Sequence, residues 1–183
     1  MIGFSKRIML SFLTAPFVLP SPVLEGRQSC GEGAKLICYG SPDGQNQHVD
    51  PEDVAYIAAL VRRDARKDPN NPPFYTMPAN NNFACEEWGL GSEGTVLAVV
   101  KHNSARRNSS VLLEDIANTI DGGERATKEQ INKSLLGCGD HGGQLAVIVN
   151  TSHPAYNTDA YKASKAAPSD LIVKIVRNNP GKK

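Results

Sequence analysis

Four cysteines, Cys30, Cys38, Cys85 and Cys138, set the tightest limit on what this 183-residue chain can become. An even number behind a secretion-type leader reads as two disulfides, whereas the same number in a reducing compartment leaves metal binding or free thiols open. The spacing speaks for disulfides. There is no Cys-x-x-Cys pair, and His48, His102, His141 and His153 do not fall at zinc-finger intervals. No metal or cofactor is expected. Of the three pairings that four cysteines allow, Cys38 with Cys85 and Cys30 with Cys138 is favoured. Cys38 and Cys85 both lie in strand-like runs, and Cys30 lies on a flexible lead-in.

The leader is Met1 to about Leu24. Lys6 and Arg7 precede Ile8 to Pro20, a mostly apolar run too short and too proline-broken to span a bilayer, which is the pattern of a signal peptide. The mature chain is therefore expected to be secreted, extracellular and without a membrane span. The length fits one domain, and 40% hydrophobic residues suffice for a core. A formal charge of +1 argues against a general nucleic-acid binder. The expected organisation is a signal peptide over 1–24, a disulfide-linked domain over 25–151 and a C-terminal extension over 152–183. That extension carries one edge strand, Asp170 to Val176, and a disordered basic tail.

Cys138 lies in the stretch that organises the rest. Two apolar runs flank Gly139-Asp140-His141-Gly142-Gly143 between Ser134 and Asn150, which reads as a hairpin, and Leu145 to Val149 has the composition of a central strand. Upstream, Lys35 to Tyr39 reads as a first strand. Asp50 and Pro51 are suited to cap and open a helix whose Val54, Ile57, Ala58 and Val61 form one apolar face, ending before Pro69. Asp68 to Asn82 reads as a proline- and asparagine-rich loop with Phe74, Tyr75 and Met77 packed on the core. Phe83 to Trp88 and Thr95 to Lys101 read as strands around a Gly89–Gly94 loop, which lacks the Gly-Lys-Ser/Thr ending of a phosphate loop. Ser110 is suited to cap a second amphipathic helix, Val111 to Ile120, and Thr127 to Gln130 fits a capping box.

The order strand, helix, strand, strand, helix, strand is the split β-α-β pattern. It predicts an α+β fold, a two-layer α/β sandwich with a mainly antiparallel sheet and two main helices on one face. The elements that carry this order are Cys38-Tyr39-Gly40, the helix from Pro51, Phe83-Ala84-Cys85, Thr95 to Val100, the Ser110 to Gly123 helix, and Leu136-Gly137-Cys138-Gly139 followed by Gly143 to Val147. Over roughly Cys30 to Thr151 this resembles the calcium-channel-blocking killer toxins of smut-fungus viruses. It is also similar to the four-cysteine necrosis-inducing effectors of leaf-infecting fungi. The toxin family has more cysteines, and its target-binding residues have no counterparts identified here.

The resemblance implies a fungal secreted protein that binds a protein target, such as a channel or receptor, on or in a host or competitor cell. It would act as a non-enzymatic virulence factor and as a monomer. No catalytic residue is assigned under that reading; the basic run Lys101, His102, Arg106 and Arg107 is the candidate partner-binding patch. The alternative is a small secreted nuclease-like hydrolase using His102, His141 and Glu86/Glu87 as acid and base, with Arg106 as a phosphate clamp. Three triplets fit N-glycosylation, at Asn108, Asn132 and Asn150, with Asn108 favoured for its polar loop.

Overall fold

The computed structural model describes residues 30–40, 42, 44–68, 70–79 and 85–179; the leader, Phe83, Ala84 and the end of the basic tail lie outside them. The fold is α+β. A five-stranded antiparallel sheet runs in the order β1 (Ile37–Cys38), β6 (Gly143–Ala146), β7 (Leu171–Arg177), β4 (Val96–His102), β3 (Trp88–Glu93). A second, two-stranded sheet pairs β2 (Phe74–Met77) with β5 (Ser109–Leu112). Helices α1 (Pro51–Ala65) and α2 (Leu113–Asp121) pack together, and their apolar residues share one core with the sheet.

Strand alternation assigns the two faces. Val96, Ala98 and Val100 of β4, Leu171, Val173 and Ile175 of β7, and Leu145 of β6 point to one side and join Ile57, Ile116 and Ile120 of the helices. Helix α1 starts as its sequence predicts: the Asp50 carboxylate accepts from the Glu52 N–H, and Pro51 opens the first turn. Its Asp53 accepts from the Thr95 N–H and hydroxyl, both at 2.7 Å, and these bonds hold the Asp53 carboxyl below its usual range. The β3–β4 turn is thereby tied to α1. The other end of α1 is clamped to α2, with Arg62 donating to both Asp121 oxygens at 2.8 Å and to Asn118 at 3.0 Å. Arg66 spans Glu114 and Glu124.

Several elements depart from the sequence-based expectation. The expected Gly89–Gly94 loop is itself strand β3, and the turn is Gly94-Thr95. At Gly91 a Cβ would meet Ile57 Cδ1 at 3.7 Å, an ordinary van der Waals contact, so β3 packs on α1 there. The Asp68–Asn82 loop contains β2, whose Met77 is buried and whose Phe74 and Tyr75 pack on the cores, as expected. Ser110 is a strand residue and α2 begins only at Leu113. The capping box at Thr127 is present and opens α3 (Lys128–Asn132).

The Ser134–Asn150 hairpin is not formed. A 3-10 segment, Leu135–His141, leads into the short β6, which is second in the sheet order and not its centre. Val147 still donates its N–H to Leu171 O of β7 at 2.9 Å, and beyond it the chain peels away, with the Ile148 N–H donating to the Thr119 hydroxyl of α2. The centre of the sheet is β7, the strand expected at an edge: it pairs with β4 over seven residues and with β6 over four. The chain after 151 therefore completes the main core. Its 3-10 segment Pro154–Asn157 and helix α4 (Asp159–Ser164) also build a second core, where Tyr156 and Tyr161 pack around Phe74 with ring centroids 4.9–5.4 Å apart.

The disulfides are Cys30–Cys85 and Cys38–Cys138, which corrects the favoured pairing. The register explains the change. Cys38 sits opposite Gly143, and the 3-10 segment folds back so that a Cβ on Gly143 would lie 3.0 Å from Cys138 Sγ. Cys138 is thus delivered to β1, leaving Cys30 for Cys85.

Candidate functional site

A group of ionisable side chains stands on the sheet face turned away from α1 and α2. Lys101 of β4 is opposite Ile172, and Lys174 of β7 is opposite Val99 and Gln144, so the two lysines share that face on adjacent strands. Ile172 is wholly buried and Val99 nearly so. The segment from Cys30 to Ala34 runs along this face, with the Cys30 N–H donating to Asn103 O at 3.2 Å and the Ala146 N–H to Ala34 O at 3.1 Å.

Two carboxylates meet the lysines. Glu32 Oε1 accepts from Lys101 Nζ at 3.0 Å and from Lys174 Nζ at 3.2 Å, and Lys174 also donates to Glu87. The Cys30–Cys85 bridge positions both acids, since each lies two residues after a bridged cysteine. Glu32 Oε2 is buried and has no partner among the described residues. Tyr39 closes the side, donating to Gln144 Oε1 at 2.9 Å; burial pushes its hydroxyl up to about 12. Burial opposes the Lys174 charge, but the Glu87 bond and the surrounding negative groups hold its ammonium above its usual range. Two cations and two anions balance, and each head group is held by an opposite charge.

A second buried polar pair sits between α2 and the C-terminal 3-10 segment. Tyr156 donates to Asp115 Oδ2 at 2.6 Å and accepts the Leu112 N–H at 2.8 Å. Burial raises the Asp115 carboxyl above its usual range, against the Tyr156 hydroxyl and the Asn150 N–H, which lower it. Beside this pair a cleft of about 250 Å³ opens, walled by Pro72, Pro73 and Leu112, with Arg66, Glu114 and His153 at its polar parts.

The residues singled out from sequence are separated. Lys101 and His102 end strand β4 and are buried, while Arg106 and Arg107 are exposed on the following loop. The continuous basic patch is therefore corrected to the two arginines, because strand alternation turns Lys101 toward Glu32. Arg107 pairs with Asp170. His102 Nε2 donates to Pro78 O at 3.2 Å, and its Nδ1 has no partner among the described residues.

His141 stands elsewhere, its ring against Gly40 and its neighbour Asp140 bonded to Asn46. His102 pairs with Leu171, whereas Gly143, two residues beyond His141, pairs with Ile175. Four residue steps along β7, about 13 Å at the usual rise, separate those positions. Glu86 is exposed, and Glu87 is engaged by Lys174. His102, His141 and Glu86/Glu87 thus do not converge on one substrate position. Among the described residues no cluster of three His, Cys, Asp or Glu could hold a metal, and no helix is long and apolar enough to cross a membrane.

Sequence reasoning missed Glu32, Lys174, Asp115 and Tyr156. Lys174, as a lone charge inside an apolar strand, was the signal that could have been followed. Comparison with protein-family models, curated proteins and solved structures finds no match.

Proposed function

We propose that this chain is a secreted, killer-toxin-like or effector protein that binds a protein target on or in a host or competitor cell and does no chemistry on it. The observation that carries this reading is the pair of disulfides, Cys30–Cys85 and Cys38–Cys138. Cross-links of this kind persist in oxidising spaces and let a modest domain survive outside the cell. The paired charges favour binding over catalysis: Glu32, Glu87, Lys101 and Lys174 neutralise one another, and the Arg62 guanidinium is occupied by Asp121 and Asn118. The cations a target can reach include Arg106 and Arg107 on the β4–β5 loop.

The test applies purified oxidised protein, and the same protein reduced and alkylated, to leaf tissue and to fungal cultures, reading ion leakage and growth. The oxidised form is expected to elicit a response that reduction abolishes and that Arg106→Glu weakens. No response to the oxidised form at high dose in any plant or fungal cell would overturn the proposal.

A further inference from the structure

The three glycosylation triplets have different fates in the fold. In Asn108-Ser109-Ser110 the acceptor's Oδ1 is taken by the Ala79 N–H at 2.9 Å. Its third residue, Ser110, is buried in β5, with its hydroxyl 2.7 Å from that of Thr76. In Asn132-Lys133-Ser134 the acceptor ends α3, and Ser134 is 1% exposed with its hydroxyl donating to Ile131 O at 2.8 Å. Both third-position hydroxyls are therefore committed to the fold.

Asn150-Thr151-Ser152 differs at its third position, where Ser110 and Ser134 are buried and Ser152 is not. All three residues are exposed. The Ser152 hydroxyl donates to Asn150 Oδ1 at 2.6 Å and the Ser152 N–H to the same oxygen at 3.3 Å, while the His153 N–H donates to Asn150 O at 3.0 Å. This turn joins the acceptor amide to the hydroxyl that the triplet requires and leaves Nδ2 with no partner among the described residues. The side chain projects from a turn, so a glycan displaces no packed element.

We infer that Asn150 is the residue of this chain that carries an N-linked glycan, an inference that rests on the reading of the protein as secreted. The reaction joins Asn150 Nδ2 to C1 of an oligosaccharide carried on a lipid pyrophosphate. The C1–oxygen bond to the pyrophosphate breaks, the lipid pyrophosphate leaves with the electron pair, and Nδ2 loses one proton to the transferase's base. Asn108 and Asn132 are acceptors only until β5 and α3 form, whereas Asn150 is open both before and after folding.

The experiment expresses the full chain in a eukaryotic secretory host behind an unrelated endoplasmic-reticulum leader. Medium and cell extract are both analysed by intact mass, before and after peptide N-glycosidase. One glycan is expected on the wild type, on Asn108→Gln and on Asn132→Gln. It should be absent from Asn150→Gln and Ser152→Ala and retained in Ser152→Thr. A glycan that survives Asn150→Gln, or wild-type chain in the lumen with none, overturns the inference. Parallel expression behind the chain's own first residues tests secretion separately, because failure there with glycosylation behind the foreign leader would sink only the secretion reading.

Discussion

The two faces of the five-stranded sheet are buried by opposite means. The face toward α1 and α2 is closed by non-directional apolar packing, with Val173, Ile175, Ile116 and Ile120 fully buried. The other face is closed by a short arm from Cys30, held by a disulfide, by backbone bonds and by Glu32 between two lysines. Apolar burial scales with area and needs helices to cover it. A segment of a few residues covers less, and what holds it is directional and cross-linked. The inner face should therefore carry the stability of the fold, and the outer face should behave as a separable layer.

The largest expected effect comes from removing a bridge that serves the inner layer. Cys38 and Cys138 close a separation of 100 residues. The loop-entropy argument gives about 4.7 kcal/mol for that closure. The Cys38→Ser/Cys138→Ser variant should lose most of that in urea unfolding. Opening Cys30–Cys85 instead, with a separation of 55 residues, is worth about 4 kcal/mol by the same argument. Its signature should be local: in hydrogen exchange the Cys30 and Ala146 amides lose protection before those of β4 and β7. Equal loss across β4 and β7 would mean that the arm is no separate layer.

Next are two isoleucines on one strand, both wholly buried but facing opposite ways, Ile175 inward and Ile172 outward. Ile→Ala in a core costs about 2–5 kcal/mol, depending on how far the site can collapse. Ile175→Ala, between sheet and helices, should fall near the upper end. Ile172→Ala should fall near the lower end, since the arm can settle into the space. Equal losses by denaturant titration would erase the distinction between the faces.

Which parts of this arrangement could be read in advance follows from the range of the signals. Helix α1 was legible because Asp50, Pro51 and the apolar spacing lie within four turns of one another; the Thr127 capping box is as local. Strand β7 reads as an edge because it comes last, ahead of a basic tail, whereas its two partner strands are set by tertiary pairing and the acid that accommodates its Lys174 lies 142 residues away. The glycines of β3 read as turn residues because glycine is a local turn signal, whereas their pairing with β4 is set by the partner strand. The cysteine pairing depended on a 3-10 segment folding back over β1, a geometry set by tertiary contact. The candidate site was the least legible part, since Glu32, Lys101 and Lys174 meet only once the arm crosses the sheet.

The charge cluster offers a smaller but sharper test. Lys101→Met keeps the buried stem apolar and leaves Glu32 with Lys174, so a loss under about 1 kcal/mol is expected. Glu32→Gln leaves the buried Lys101 ammonium facing a neutral amide while Lys174 keeps Glu87, and about 2 kcal/mol should be lost. The reverse order would show that Lys101, and not Glu32, secures the arm.

Asp115 is a buried acid within the helical layer, and its titration tells whether its bonds compensate its burial. Burial raises its folded value above the ordinary 3.8, with Tyr156, the Asn150 N–H and His153 pulling down and Glu114 pushing up. The folded chain therefore holds this proton more tightly than the unfolded chain. The stability it contributes is full below 3.8 and is lost as pH rises through the raised folded value. Asp115→Asn removes the titration but keeps an acceptor for the Tyr156 hydroxyl. Asp53, Asp64, Glu124 and Asp140, whose carboxyls lie below their usual range, titrate in both proteins and cancel in the difference. The stability of wild type relative to Asp115→Asn should thus be greatest in acid and shrink toward neutrality, by an amount smaller than the core losses above. A difference that grows with pH in paired urea titrations would mean that the Tyr156 hydroxyl and the Asn150 N–H outweigh burial, making this carboxylate a stabilising charge inside the helical layer.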